Sequence, residues 1–201
     1  MKYFLLGLVI MSIAGNSYAQ NDWTLEKDKN GIKVWTKKRA NSKLKEYKGS
    51  ITINTTVDKL VSIFKNVKMH DKFMYKAQPE SVKVVKKVNE GDFYTYMIIN
   101  APLVKDRDVV AHYKFNEDKK TGTVTIDVEA TPALIPESSE YVRVPEMKGY
   151  WKFIPKSNNT VEVIHQAYSL TGGSIPDGLA NSAAVDTPYT MLSKLKLLAA
   201  E

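Results

Sequence analysis

The 201 residues include no cysteine. Disulfides, thiol catalysis, thiolate zinc sites and a cysteine-linked lipid anchor are therefore excluded, and the fold must rest on its apolar core. Histidine is scarce too, occurring only at His70, His112 and His165. No histidine or carboxylate cluster has metal-ligand spacing, and no serine stands in a nucleophile elbow. Gly172-Gly173 precedes Ser-Ile-Pro rather than the Lys-Ser/Thr of a phosphate loop. Neither a metal nor a cofactor is expected. Also missing are internal repeats, a low-complexity linker and any run of five basic residues. The net charge of +7 comes instead from small groups such as Lys37-Lys38-Arg39, Lys86-Lys87 and Lys119-Lys120. That pattern suits solvated strand faces, with a weak pull toward anionic membrane surfaces, and argues against nucleic acid as a partner.

The apolar run Phe4–Ala14 is too short to span a bilayer. With Lys2 before it and Ser17-Tyr18-Ala19 after it, residues 1–19 read as a cleaved secretory signal. Residues 20–201 then form one domain, expected as a monomer in the periplasm or outside the cell.

Within that domain, Asp22–Lys29 suits a short helix held by Trp23, and Asn30-Gly31 turns into an alternating strand, Ile32–Thr36. Lys45–Asn54 alternates again, with Tyr47, Gly49, Ile51 and Ile53 on one side. Thr56 caps a helix running to about Lys68, followed by a short helical or irregular piece over Met69–Tyr75. From Ser81 the pattern is an antiparallel meander through Phe93–Asn100, Arg107–Asn116, Thr123–Ala130, Tyr141–Val144, Gly149–Pro155 and Thr160–Leu170. After the Gly172-Gly173 and Ile175-Pro176 turn the chain is helical, with Ala184, Val185, Met191, Leu192, Leu195 and Leu198 at spacings of three and four, and Pro188 predicts a kink or a restart near Thr187. The class is α+β, a large antiparallel sheet with one long helix as its core.

Strand parity sorts the faces. Val109, Ala111, Tyr113 and Phe115 share the apolar side of one strand with Arg107 at its mouth, while Asp108 and His112 point away. His70, beside Asp71, falls in a polar stretch, and His165 alone is placed inward. A guanidinium at Arg107 needs a partner, because an isolated buried charge is costly. It either receives an anionic group or fixes the neighbouring loop through a carboxylate such as Asp106; Arg143 carries the same two readings.

Four motifs in register resemble the START (steroidogenic acute regulatory protein-related lipid transfer) domain family. They are Ala101-Pro102-Leu103-Val104-Lys105-Asp106-Arg107-Asp108, Tyr141-Val142-Arg143-Val144, Gly149-Tyr150-Trp151 with Pro155, and Gly172-Gly173-Ser174-Ile175-Pro176 with Leu179-Ala180-Asn181. The resemblance implies a helix-grip fold, a bent antiparallel sheet wrapped around a long C-terminal helix and enclosing an apolar tunnel. It also implies a lid made by residues 100–106 and the helix 177–198. The sequence departs from the family at Ala101 and Leu103, which replace prolines, at Gly178 and Phe73, which replace tryptophans, and at Met97 and Tyr113, where sterol carriers have an acid–base pair.

The expected function is non-enzymatic binding, transport or sensing of a lipid or other apolar small molecule. The cavity and lid residues are Phe93, Met97, Ile99, Leu103, Arg107, Tyr113, Phe115, Val128, Arg143, Trp151, His165, Ile175 and Leu179. Periodicity alone does not separate a lined tunnel from a filled core. The alternatives are a small cyclase- or hydrolase-like enzyme using His165 or Arg107, and a packed interaction domain.

Overall fold

The computed structural model describes residues 22–40, 42–157 and 159–201, so the expected signal segment lies outside the described residues. The chain opens with a hairpin, not a helix: β1 (Thr24–Lys29) pairs antiparallel with β2 (Ile32–Lys38). The reason is local. Asn30 and Gly31 both adopt positive φ, 55° and 78°, the two-residue turn that matches strand twist and zips its flanks together. Trp23 therefore anchors no helix; instead the Lys37 and Lys48 ammonium groups lie over its ring.

β3 (Lys45–Asn54) follows, then α1 (Val57–Lys65), whose first turn is capped by the Thr56 hydroxyl accepting from the Lys59 N–H. This helix stops at Lys65, three residues earlier than the periodicity predicts. A single 3-10 turn leads into the short α2 (His70–Phe73). The meander then runs β4 (Lys83–Asn89), β5 (Asp92–Ile99), β6 (Arg107–Asp118), β7 (Thr123–Ala130), the two-residue β8 (Val142–Arg143), β9 (Glu146–Pro155) and β10 (Thr160–Leu170). The sheet order is β1-β2-β3-β10-β9-β7-β6-β5-β4, antiparallel except where β8 lies parallel beside β6.

α3 (Asp177–Ala200) lies across the concave face and continues through Pro188, so the chain does not restart near Thr187. Its seat is Gly49. A Cβ there would come within 2.7 Å of the Leu192 side chain and 2.9 Å of Pro188 Cβ, so the missing side chain lets the helix body sit directly on β3. Below that contact the interior is filled. Leu192 and Leu195 of α3, Leu60 and Phe64 of α1, and Phe73, Trp151 and Phe153 are all fully buried, with Phe64 in ring contact with Phe73, Trp151 and Phe153. No helix among the described residues is long and apolar enough to cross a membrane.

Candidate functional site

Above the same contact the interior is hollow. A cavity of about 410 Å³ separates the first half of α3 from the sheet, within the general range of small-molecule sites, about 300–1,000 Å³. Side-chain size explains its position. The helix presents Ala180, Ala183 and Ala184 here, opposite Ala111, Gly149 and Ala167 of the strands. Small residues on both walls leave space that Leu192 and Leu195 close further along.

Ten of the thirteen expected residues line this space: Met97, Ile99, Leu103, Arg107, Tyr113, Val128, Trp151, His165, Ile175 and Leu179. Three do not. Phe93 lies behind the wall, stacked on Tyr113 at 5.6 Å, and Phe115 packs behind Phe93 at 5.8 Å. Arg143 faces away from the cavity. Its Nε and Nη2 donate to the two carboxylate oxygens of Asp108, each at 2.9 Å, and its remaining donors reach the carbonyls of Pro132, Ile135 and Pro136. Every side of that guanidinium is occupied, which leaves it no ligand role.

Arg107 lies at the mouth, but its direct partners are carbonyls rather than a carboxylate. Nε donates to Thr171 O at 3.3 Å, Nη2 to Gly172 O at 3.1 Å and Nη1 to Lys105 O. One cation thus ties residues 100–106 to the Gly172-Gly173 turn that leads into α3. Asp106 closes the same loop on itself, accepting from Ala101 N and from Gln78 Nε2. At the loop's tip Leu103 is 100% exposed with a φ of 70°, and Leu179 on the opposite rim is 49% exposed.

The floor carries the polar groups. His165 stacks flat on Trp151, with centroids 3.9 Å apart. Its Nδ1 is 3.0 Å from Tyr150 O and its Nε2 is 3.0 Å from the Tyr47 hydroxyl. Burial pulls the His165 pKa down to about 4, against the smaller opposing effect of the Tyr150 carbonyl, and the same desolvation pushes the Tyr47 and Tyr113 phenols up. The floor is uncharged at neutral pH. Tyr47 was not among the expected site residues, although it shares the inner face of β3 with Gly49. The signal that points to it is the pairing of β3 with β10, which only the fold supplies.

The other histidines differ from each other. His112 lies on the outer face as parity predicts, 2.7 Å from Asp92 Oδ1 and stacked on Tyr94. His70 reverses its expectation: it is 1% exposed, donates to Phe64 O at 2.7 Å and touches Phe73 and Tyr113. The charged neighbour Asp71 is itself nearly buried, its side chain 7% exposed, so it did not mark a solvated position.

No family model matches the sequence. An uncharacterised protein of Pseudomonas aeruginosa is 36% identical over 198 residues, 98% of this chain and 95% of that protein. Among solved structures, a STAR-related lipid transfer protein fragment from Xanthomonas axonopodis has a TM-score of 0.83 at 30% identity, covering 90% of this chain and 100% of that one. Human StAR-related lipid transfer protein 5 has a TM-score of 0.80 at 13% identity, covering 91% and 88% respectively, a likeness that speaks for the fold alone.

Proposed function

The chain belongs to the StAR-related lipid transfer (START) family, and from that premise we propose that it binds a lipid or similar apolar molecule in the cavity and carries or senses it without chemical change. The observation that carries this reading is the cavity itself, about 410 Å³ walled mainly by apolar side chains. Burying hydrocarbon there contributes roughly 0.8 kcal/mol per methylene. Residues 100–106 and the first turn of α3 act as the gate, with Arg107 as the clasp between them. The commitment of both His165 nitrogens, one to a carbonyl and one to a hydroxyl, favours binding over acid–base catalysis by that residue. Exposed Leu103 and the lysine-rich surface support transient contact with an anionic membrane while the gate opens. Export to the periplasm or beyond, after cleavage near Ala19, belongs to the same proposal.

Native mass spectrometry of protein purified from its own host is the direct test. A co-purifying, solvent-extractable mass of a few hundred daltons is the expected result. Adding that molecule at about 100 times its Kd raises Tm by roughly 5–10 °C. A protein that carries nothing and that no lipid mixture stabilises is no lipid carrier.

A further inference from the structure

Cross-strand register places two phenols on opposite sides of the cavity floor. Tyr47 pairs with Ala167, Ala167 with Gly149, Gly149 with Val128, and Val128 with Tyr113. The three residues between the tyrosines are small or short, so nothing in that row fills the gap.

The hydrogen-bond roles of the two hydroxyls are fixed and opposite. A carbonyl only accepts, so the Tyr150 carbonyl requires the His165 proton on Nδ1. Nε2 of the neutral ring then holds a lone pair, and the Tyr47 hydroxyl must donate to it. With its proton committed, the Tyr47 oxygen offers only acceptor capacity. Tyr113 is the reverse case. The residue is only 3% exposed, yet its hydroxyl has no hydrogen-bond partner among the described residues and is not a sealed polar atom. Its proton is free to donate. The basic residues of the cavity wall are engaged elsewhere: Arg107 with the mouth carbonyls, Lys45 with Glu26 at 2.9 Å, and Lys76 over the Tyr75 ring.

Building on the lipid-carrier reading, we propose that the floor is an alcohol-recognition site, where Tyr47 accepts from and Tyr113 donates to one hydroxyl of an uncharged apolar ligand. A hydroxyl is the small group that fills both roles at once. A carboxylate satisfies Tyr113 but sets its charge against the Tyr47 lone pairs with no counterion, and a plain hydrocarbon leaves both phenols unpaired.

The test uses a matched set, 1-dodecanol, dodecanoate and dodecane, competing at pH 7.5 with the neutral fluorescent probe N-phenyl-1-naphthylamine. Dodecanol is expected to displace the probe at least about ten-fold better than dodecanoate. Tyr113→Phe removes only an unpaired hydroxyl, so it keeps the fold while weakening dodecanol about 3- to 10-fold and binding dodecane no more weakly than the wild type. Tyr47→Phe weakens dodecanol likewise. Equal or better binding of dodecanoate, or full dodecanol affinity in Tyr113→Phe, overturns the alcohol site while the carrier reading stands. If neither the probe nor any of the three molecules binds the wild-type protein, both readings fall together.

Discussion

Asp108 and Arg143 form the most deeply buried ion pair of the described residues, with side chains 2% and 4% exposed. The pair holds because every remaining donor on the guanidinium has a carbonyl from residues 132–136, so the desolvation cost is met by several charge-assisted bonds. What it does is hold that connection over the outer side of β6. Asp108→Ala leaves a buried cation without its carboxylate and is expected to cost about 3–5 kcal/mol, seen as a lower urea midpoint. Because the pair faces away from the cavity, the fraction that remains folded should bind ligand with unchanged affinity. A binding defect in the folded fraction would return Arg143 to the site. Parity along β6 was enough to turn Asp108 outward. Its partner lies 35 positions away and was not legible, because no local pattern reports which loop crosses a strand's far side.

The same limit recurs in the larger parts. The alternation of β7 and β10 was readable because one face of each is the more buried along most of its length, and α3 because its buried residues recur at spacings of three and four. β1 was misread as a helix because Asp22–Lys29 is too polar to show a period, and the Asn30-Gly31 turn that decides its state lies just outside it. The hollow in the core was legible in principle, since alanines cluster in the first half of α3 and leucines in the second, but that asymmetry acquires meaning only when Gly149 and Ala167 are known to lie opposite. Two glycines now separate the roles of the two halves. At Gly178, in the first turn of α3, an added Cβ meets nothing within 4 Å and φ is not positive. Gly178→Ala should stiffen the gate turn by about 0.4–1 kcal/mol and slow lipid exchange about 2- to 5-fold, measured by transfer between vesicles. At Gly49 the added methyl strikes Leu192 and Pro188. Gly49→Ala should therefore cost about 1–3 kcal/mol by lifting the helix body from β3, read by thermal melting. If Gly178→Ala leaves exchange unchanged, the first turn of α3 is not the moving part.

For the molecule as a whole, the absence of disulfides leaves stability to the core, and that core contains two histidines held neutral. Burial lowers both His70 and His165 to about 4, from an ordinary value near 6.5. The folded state therefore binds fewer protons than the unfolded chain between those values, and the direction of the effect follows. Stability is fully present above about pH 6.5 and declines as the pH falls toward 4, where the unfolded chain gains protons that the folded one refuses. Each histidine contributes a loss on the order of 2 kcal/mol between pH 7.5 and 4.5. Glu26 acts in a separate window. Hydrogen bonds from Thr36 and Lys45 lower its pKa, so its contribution is present above about 4.5 and is lost only below it. Urea unfolding from pH 7.5 to 4.5 thus isolates the histidines, and His165→Gln should remove about half of the slope. A companion substitution, His165→Leu, removes the lone pair holding the Tyr47 proton, so it should weaken dodecanol binding at pH 7.5, where the protonation of the ring plays no part. A flat stability profile across that window would mean that water reaches one or both rings and lets them titrate near 6.5 in the folded state as well.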